Sequence, residues 1–553
     1  MVGGLAGLLA VAQSAVAHGL QTLLFGFGES ERLSALGEVP LLKLAWIPVG
    51  GLLLGVVTWA ARRWRPGQRI DVVEANALYG GYLSMRDSII VCFQTFLSNG
   101  FGASVGLEAA YAQAGGAVGS KLGQRLKLRR ADLRTLVGAG AGAAIGAAFG
   151  APLTGAFYAF EIVIGSYAPG MIAPVAAAAL ASVLVARGLG SAPYSIDLIV
   201  VQPLAAIDYL FYAGLGVLCA FMGIGLMRLV GLTDTWVRRA NIPTWAGPGL
   251  GGLLLVPLAM ASPQTLSSGH GALLADLATG VGLTALVTIF VLKATASIVS
   301  LGFGFRGGLF FASLFLGSLG GQIYARLIDL AGAPILLPPE NAALVGMGAL
   351  AVAVVGGPLT MSFLVLETTR DFGVAAATLA ASLVASTIVR ERFGYSFSTW
   401  RLHLRGETIR SARDVGWVRS LTAGRMMRTG VPTMAQSDTI AQLRRRFPLG
   451  SVKRIVLVDD SLRYAGIVPT AYAYAGHHSE DDRAEVLASN RDVTLAADMN
   501  IAEVMKTFDL TETEELAVVD NDRKVLGLLT EVFVARRYAE ELETVQQGAF
   551  GKA

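Results

Sequence analysis

Charged residues are scarce in most of this chain. Only 15% of its 553 residues are Asp, Glu, Lys or Arg, whereas soluble domains carry about a quarter. The scarcity is uneven, because 43 of the 84 charged residues lie from Arg401 onward. A long, weakly charged part is typical of a membrane domain, and the remainder has the charge and the length of an ordinary soluble domain.

Cysteine is also scarce. The two cysteines, Cys92 and Cys219, both lie in apolar segments, which excludes a disulfide framework and a Cys-x-x-Cys metal motif. The basic pI of about 9.0 does not indicate a nucleic-acid partner, because the basic residues cluster beside apolar stretches. The run Arg62–Arg69 follows such a stretch and is predicted to face the cytoplasm.

Hydrophobic residues and glycine are abundant, at 54% of the chain and 67 residues. Stretches broken at Gly or Pro expose helix ends, which a membrane tolerates only inside protein or beside a cavity. Val2–Gly26 lacks a cleavage site and is predicted to be a helix rather than a signal peptide; Met1 opens directly into it, consistent with a missing natural extension. The predicted apolar stretches are Val2–Gly26, Leu44–Ala61, Ser88–Ala117, Leu136–Ile164, Ala173–Ala186, Tyr209–Val230, Leu250–Met260, Thr284–Ser300, Gly307–Ile323, Ala342–Leu366 and Val374–Val389.

The apolar part contains an internal duplication. Glycine, serine, leucine and phenylalanine positions of Ser98–Gly119 recur 202 residues later in Ser300–Gly321. A second pair follows at nearly the same shift, Pro152–Glu161 and Pro358–Glu367, and in both a glutamate lies nine positions after the proline. Two hydrophobic halves with matching interruptions predict a transporter whose binding site lies between the repeats.

Glu108 is the acid that distinguishes the two copies. Gly106-Leu107-Glu108 corresponds to Gly308-Leu309-Phe310, and both resemble helix starts within the membrane. A helix start offers unpaired N–H groups and a partial positive charge, which suit an anion. Leu309, Phe310 and the residues beside Glu108 are the candidate donors. Close helix packing is the alternative role for the glycines, but packing does not explain an acid in one copy.

The segments around Glu108, Glu161, Glu367 and Tyr395 resemble the CLC chloride channel and transporter family. The chain is identified as a divergent, bacterial-type member. The resemblance extends from Val2 to Arg405. It implies a homodimer with one anion pathway per subunit, and an inverted repeat of many tilted, partly spanning helices. The segments that carry the resemblance are Gly102–Glu108, Ala148–Glu161, Leu364–Glu367 and Gly394-Tyr395-Ser396.

The resemblance also implies roles for single residues. Glu108 matches the gating glutamate, a carboxylate that occupies an anion site or is protonated and moves away. Tyr395 matches a tyrosine whose hydroxyl meets the central anion, although an interfacial aromatic at a helix end is the alternative. The remaining expected anion contacts are Gly106, Leu107, Leu309 and Phe310.

Several positions depart from the family pattern. The family's first filter motif, a serine followed by glycine, an aliphatic residue and proline, is expected near Gly67-Gln68-Arg69-Ile70-Asp71, where the serine and the proline are both absent. The glycine-rich approach to the second helix start carries Arg306. Guanidinium and amide groups match a planar oxyanion such as bicarbonate or nitrate better than a spherical halide. The sequence therefore predicts a selectivity shifted from chloride. The alternative for Arg306 is a charge that faces solvent or pairs with an acid. Two further expected prolines are Ala110 and Ala312.

Ile162 stands where proton-coupled members carry a second glutamate after the one matching Glu161. Isoleucine cannot relay a proton, so channel-like or weakly coupled anion flow is predicted. A proton-coupled antiporter and a non-transporting membrane regulator with a sensing tail remain alternatives. Glu161, Glu367 and Lys293 match structural residues and are expected to form buried hydrogen-bonded pairs. No catalytic residue is predicted, and the protein is not expected to be an enzyme.

The charged tail has a duplicated α/β pattern that resembles a pair of CBS domains. The corresponding boundaries are 1–405 for the membrane part, 406–420 for a linker, and 421–476 and 486–543 for the two CBS domains. The tail is expected to be cytoplasmic. Its predicted strands lie within Ile455–Asp460, Tyr464–Thr470, Leu516–Asn521 and Val525–Thr530.

Two positions of the tail argue against a nucleotide ligand. An aspartate that holds a ribose in many CBS domains corresponds to Ala473 and Phe533. The sequence therefore predicts no cofactor, with adenine nucleotide as the alternative, and a structural or dimer-contacting role for the tail.

Overall fold

The computed structural model describes residues 1–28, 31–64, 69–191, 196, 204–332, 337–405, 421–476 and 478–537. The chain divides into two compact units, Met1–Asp414 and Val415–Ala553. The predicted linker, 406–420, lies outside the described residues.

The first unit is helical. Its first half contains α1 (Val2–Phe25), α2 (Leu41–Leu44), α3 (Trp46–Trp64), α4 (Val72–Leu78), α5 (Met85–Gly100), α6 (Glu108–Arg125), α7 (Arg130–Phe149), α8 (Pro152–Tyr158) with a π-helical turn (Ala159–Ile164), and α9 (Pro169–Gly188). Its second half contains α10 (Ala206–Arg239), α11 (Gly247–Ala261), α12 (His270–Thr279), α13 (Leu283–Gly302), α14 (Phe310–Leu330), α15 (Pro339–Val355), α16 (Pro358–Thr369), α17 (Phe372–Arg392) and α18 (Phe397–His403).

The expected interruptions are confirmed. Within the described residues, six helical segments are long and apolar enough to cross a membrane. Three predicted stretches are each divided in two: Ser88–Ala117 becomes α5 and α6, Leu136–Ile164 becomes α7 and α8, and Ala342–Leu366 becomes α15 and α16. Glycines in the left-handed region accompany the breaks, with φ of 88° at Gly102 and 67° at Gly150, a conformation that other residues rarely adopt.

The two repeats use the same close helix crossing. A Cβ on Gly115 of α6 would collide with the backbone oxygen of Gly140 on α7, and a Cβ on Gly317 of α14 would collide with that of Gly346 on α15. Every residue of α15 from Asn341 to Val354 is buried. Small residues therefore bring these central helices together without side chains between them.

The second unit contains two three-stranded sheets of identical topology. In each, the first strand is parallel to the second and the second is antiparallel to the third, with an irregularity near the end of the second strand. The predicted strands and their duplication are confirmed. The elements are α19 (Ala423–Met426), β1 (Thr433–Ala435), α20 (Ile440–Arg446), β2 (Arg454–Val458), β3 (Tyr464–Pro469), β4 (Leu495–Ala496), α21 (Ile501–Thr511), β5 (Glu515–Val519) and β6 (Val525–Thr530).

The helix crossing predicts a selective sensitivity to one methyl group. Gly115→Ala should destabilise the protein by about 1–3 kcal/mol, because the added Cβ meets backbone that cannot move aside. Gly225→Ala on α10 is the matched control, since a Cβ there has no atom within 4 Å. Thermal unfolding of the purified protein, followed by size-exclusion chromatography, should separate the two variants. Equal melting temperatures would contradict the packing.

Candidate functional site

The two predicted helix starts meet at the middle of the first unit. Helix α6 begins at Glu108 and α14 at Phe310, with Leu107 and Leu309 as the residues before them. The Gly106 N–H donates to the Gly308 oxygen at 3.0 Å, and the Gly308 N–H donates to the Gly106 oxygen at 3.4 Å. Neither helix start has a side-chain cap. The N–H groups of both starts are therefore directed into one region.

Hydroxyl groups hold the two loops in place by a crossed arrangement. The Ser98 hydroxyl of the first repeat accepts from the Arg306 N–H of the second at 2.8 Å. The Ser300 hydroxyl of the second accepts from the Ser104 N–H of the first at 3.0 Å. Asn99 Nδ2 also donates to the Val105 oxygen at 2.8 Å. Each repeat thus fixes the loop of the other.

The Glu108 side chain is buried, with 3% of its surface exposed. Its carboxylate folds back onto its own loop, where Oε2 occupies the space that a Cβ on Gly106 would take. The backbone N–H groups of Glu108 and Phe311 lie near this carboxylate. Within the described residues, however, neither carboxylate oxygen has a partner in hydrogen-bond geometry. The carboxylate is therefore placed at the helix starts without being fixed.

A cavity of about 100 Å³, here called the Glu108 cavity, adjoins this carboxylate. Of the predicted residues, Glu108, Leu309, Phe310, Arg69 and Arg306 line it. Gly106 and Leu107 are outside its described lining, and Gln68 is outside the described residues. Lining residues that sequence reasoning missed include Asp71, Gln113, Tyr158, Arg401 and Arg405.

Tyr395, the expected contact of the central anion, lies outside the described lining of the Glu108 cavity. It lines an adjoining cavity of about 190 Å³, here called the Tyr395 cavity, together with Glu161 and Ile162, and the two cavities share Val73, Val355 and Ser398. The Tyr395 hydroxyl is hydrogen-bonded to His403 Nδ1 at 3.2 Å, and its ring stacks on His403 with centroids 4.6 Å apart. Tyr158, whose ring centroid is 6.2 Å from that of Phe310, is the tyrosine that lines the Glu108 cavity.

Arginines outnumber acids around the Glu108 cavity. Its described lining contains Arg69, Arg306, Arg401 and Arg405, against two carboxylates, Asp71 and Glu108. Asp71 Oδ1 accepts from the Glu74 N–H at 2.8 Å, as the N-terminal cap of α4. This excess of positive charge favours an anion.

The sequence does contain a signal for Arg401 and Arg405, which sequence reasoning did not single out. Arg401 lies in the last turn of α18, and Arg405 follows two residues after the end of the helix. A spacing of four residues is typical of two side chains on one helix face. Because the pattern ends the apolar part, it also fits the charges that commonly flank a span. The structure separates these two interpretations by placing both residues in the cavity lining.

A second pair of helix starts is capped by the protein itself. Glu161 accepts from the N–H groups of Leu359 and Thr360, at the start of α16, at 3.1 and 2.8 Å. Glu367 accepts from the N–H groups of Leu153 and Thr154, at the start of α8, both at 2.8 Å. The threonine hydroxyls donate to the same carboxylates. Each glutamate therefore neutralises a helix start of the opposite repeat.

The expectation of buried hydrogen-bonded pairs is partly correct. Lys293 is fully buried and donates to the backbone oxygens of Ser267 and Thr265 at 2.8 and 3.3 Å. Glu161 and Glu367 are hydrogen-bonded but only half-buried. Their partners are helix N–H groups and hydroxyls rather than opposite charges, because each carboxylate lies at a helix start.

In the second unit, neither position of the expected ribose contact is acidic. Ala473 is buried beneath the first sheet. Phe533 lines a cavity of about 760 Å³ together with Arg428, Lys453 and Thr530. At the position where many CBS domains carry a ribose-binding aspartate, this cavity therefore has an aromatic ring.

Comparison with known proteins identifies both units. The voltage gated chloride channel family model matches residues 50–390, and the CBS domain model matches residues 484–532. A putative chloride channel protein ClcB-like of Ralstonia nicotianae is 28% identical over 371 residues, which cover 62% of this chain and 84% of the relative. The voltage-gated ClC-type chloride channel ClcB of Salmonella typhimurium is 27% identical over 399 residues, covering 69% and 93%.

Solved structures share the fold. A slow cyanobacterial Cl⁻/H⁺ antiporter superimposes with a TM-score of 0.62 at 23% identity, covering 73% of this chain and 96% of its own. A eukaryotic CLC transporter gives a TM-score of 0.61 at 19% identity and covers 96% of both chains. The chain belongs to the voltage gated chloride channel (CLC) family, and carries a C-terminal pair of CBS domains.

Proposed function

We propose that the protein carries inorganic anions across a membrane by a path between its two repeats, with Glu108 as the gate. The contrast between two kinds of helix start supports this. The starts of α8 and α16 are neutralised by Glu367 and Glu161, whereas those of α6 and α14 lack side-chain caps. Two uncapped starts beside an arginine-rich cavity form a place where an anion is favoured.

The Glu108 carboxylate competes with that anion. It carries the same charge, lies at the same helix starts and has no hydrogen-bond partner in the described chain that would hold it there. Protonation removes its charge and therefore its attraction to the helix ends. The proposed gate is thus opened by protonation of the carboxyl group or by displacement of it by an anion.

The proposed selectivity favours a planar oxyanion over chloride. Arg69 and Arg306 line the Glu108 cavity, and the guanidinium group forms two parallel hydrogen bonds with a planar acceptor. Leu309 and Phe310, at the start of α14, line the same cavity and supply helix-end charge that does not distinguish between anions.

The proposed transport is channel-like or weakly proton-coupled. Ile162 lines the Tyr395 cavity where the proton-coupled pattern has an acid. Its neighbour Glu161 accepts from Leu359, Thr360 and also the Tyr167 hydroxyl, at 2.7 Å, so these contacts occupy the carboxylate that could replace the missing acid.

A proton-coupled antiporter is the second candidate. Two structures of the same fold are named as a Cl⁻/H⁺ antiporter and a CLC-type fluoride/proton antiporter. The Tyr395 cavity also offers room for water beside Ile162. Water that enters this cavity would allow protons to bypass the isoleucine.

The proposed assembly is a homodimer with a cytoplasmic tail. The basic end of α3, with Arg62 and Arg63 in its last turn, supports the orientation. Phe533 and the buried Ala473 favour a structural or dimer-contacting tail without adenine nucleotide. A non-transporting regulator is the remaining alternative for the whole chain. Efflux of chloride, fluoride, nitrate and bicarbonate from proteoliposomes decides between transport and regulation, since a regulator would release none of them.

Replacement of Glu108 should open the path. Glu108→Gln keeps the size of the side chain and removes its charge, so anion efflux at neutral pH should rise about tenfold, equivalent to ~1.4 kcal/mol of lost competition. Wild-type efflux should rise as pH falls, because protonation has the same effect, and the variant should be insensitive. Wild-type efflux that does not change between about pH 5 and 8, and that equals the efflux of Glu108→Gln, would refute the gate.

Gly106→Ala tests the same gate without changing the acid. Its Cβ would occupy the position of the Glu108 carboxylate, which must move, so efflux should approach that of Glu108→Gln. Gly308→Ala is the control from the other repeat, since its Cβ would meet no atom closer than 3.8 Å. Similar efflux from both alanine variants would show that displacement of the carboxylate is not the cause.

Proton coupling should be weak because Ile162 interrupts the relay. An anion gradient across the proteoliposome should drive little or no uphill proton movement, recorded with a pH-sensitive dye. Ile162→Glu, which adds an acid to the Tyr395 cavity, should increase proton movement. Strong anion-driven proton pumping in the wild type that Glu108→Gln abolishes would establish the antiporter instead.

Arg306 should affect selectivity more than total flux. Arg306→Ala should lower the nitrate-to-chloride permeability ratio by about tenfold, since a bidentate charged contact contributes about 1.5–3 kcal/mol. Arg228→Ala is the control, because Arg228 lies on α10 over the Phe393 ring. Reversal potentials with the two anions on opposite sides of the membrane give the ratio. A wild type that strongly prefers chloride, with an unchanged ratio in the variant, would contradict this selectivity.

A further inference from the structure

Two cavities of the first unit share part of their lining. The Glu108 cavity, of about 100 Å³, adjoins a larger one of about 300 Å³ that contains Asp234 and is here called the Asp234 cavity. Arg306, Phe397, Arg401 and Arg405 line both. These four side chains therefore mark the junction through which an anion would pass from the larger space towards Glu108.

The three junction arginines are not equivalent. Arg405 Nη1 lies 3.7 Å from the Glu74 carboxylate, which balances its charge. Arg306 and Arg401, by contrast, have no carboxylate oxygen within 4.0 Å among the described residues. In the described part of the chain, Arg306 donates only through its backbone N–H, to the Ser98 hydroxyl. The Arg401 guanidinium lies 5.8 Å from the centroid of the Phe397 ring. Within the described ranges, neither guanidinium group therefore has an acceptor that occupies its N–H donors.

Two of the nearby acids are engaged elsewhere. Asp234 pairs with Arg238 at 2.9 Å, and Asp71 caps α4. Arg306 and Arg401 are close enough for their positive charges to repel each other. Repulsion between two guanidinium groups that have little contact with water raises the electrostatic free energy, and an anion between them offsets this repulsion.

We infer that Arg306 and Arg401 form a second anion site at this junction, separate from the helix starts at Glu108, and that it binds a planar, singly charged oxyanion of the nitrate or bicarbonate class. The inference rests on the proposed anion path. Two planar guanidinium groups provide parallel N–H donors that three coplanar oxygens can accept, whereas a spherical halide uses one donor from each. An anion bound there is concentrated next to Glu108 and can displace its carboxylate.

Arg401 is therefore a specificity-determining residue, and its variants separate charge from shape. Arg401→Gln removes the charge, and Arg401→Lys keeps the charge but loses the planar fork. Arg228→Gln is the matched control, since Arg228 is exposed on α10 and belongs to the lining of neither cavity.

The test measures initial efflux from proteoliposomes of full-length protein as a function of nitrate and of chloride concentration. Arg401→Gln should raise the half-saturating nitrate concentration about tenfold or more, keep the maximal rate within a few-fold, and affect chloride much less. In Arg401→Lys the half-saturating chloride concentration should be close to that of the wild type, whereas the half-saturating nitrate concentration should remain raised. Unchanged half-saturation in both variants would refute the site, and equal recovery of both anions in Arg401→Lys would refute its planar specificity.

Calorimetric titration of the purified protein with potassium nitrate distinguishes this site from transport itself. Nitrate binding that is weakened in Arg401→Gln and retained in Arg228→Gln supports the site even if no anion is transported, in which case the proposed function alone fails. Nitrate binding that is equal in all three proteins overturns the site even if transport is observed. If Arg401→Gln does not fold, Arg401→Lys and Arg306→Lys carry the same comparison.

Discussion

The backbone N–H groups at a helix start have to be matched with negative charge or hydrogen-bond acceptors when the helix begins inside a membrane, because lipid offers none. This requirement organises the first unit. In the described part of this unit, α6, α8, α14 and α16 begin in the interior, and each start carries a partial positive charge. The fold meets the requirement in two ways, and the difference between the two ways defines the site.

At α8 and α16 the acceptors belong to the protein. Glu367 and Glu161 reach across from the opposite repeat, and each receives two backbone N–H groups and a threonine hydroxyl. At α6 and α14 only Glu108 is placed to serve, and it is held by neither a hydrogen bond nor an ion pair in the described chain. The same electrostatic need is therefore met by hydrogen-bonded carboxylates at one pair of helix starts, and at the other pair by a carboxylate that has no hydrogen bond in the described chain.

Local features of the site could be predicted from the sequence, and tertiary ones could not. The glycines before Glu108 and Phe310 specify helix starts because they act within a few residues, and α6 and α14 begin where they indicate. The resemblance places the Tyr395 hydroxyl at the central anion, but it does not indicate the contacts that the Tyr395 ring makes with the His403 and Trp400 rings. Arg306 and Arg401 line the same cavities. They are nearly a hundred positions apart in the sequence, so no local sequence pattern predicts that they lie together.

The contact between Gly106 and Gly308 is made by main-chain atoms alone, and this gives the duplicated halves an unusual freedom. Besides these main-chain hydrogen bonds, the Ser98 and Ser300 hydroxyls fix the two loops, so other positions of the halves can diverge in composition without separating the helix starts. Alanine can occupy positions 110 and 312, and an acid can arise in one half opposite a phenylalanine in the other. The two copies of a duplicated fold can in this way keep a symmetric main chain while only one of them carries the acidic side chain.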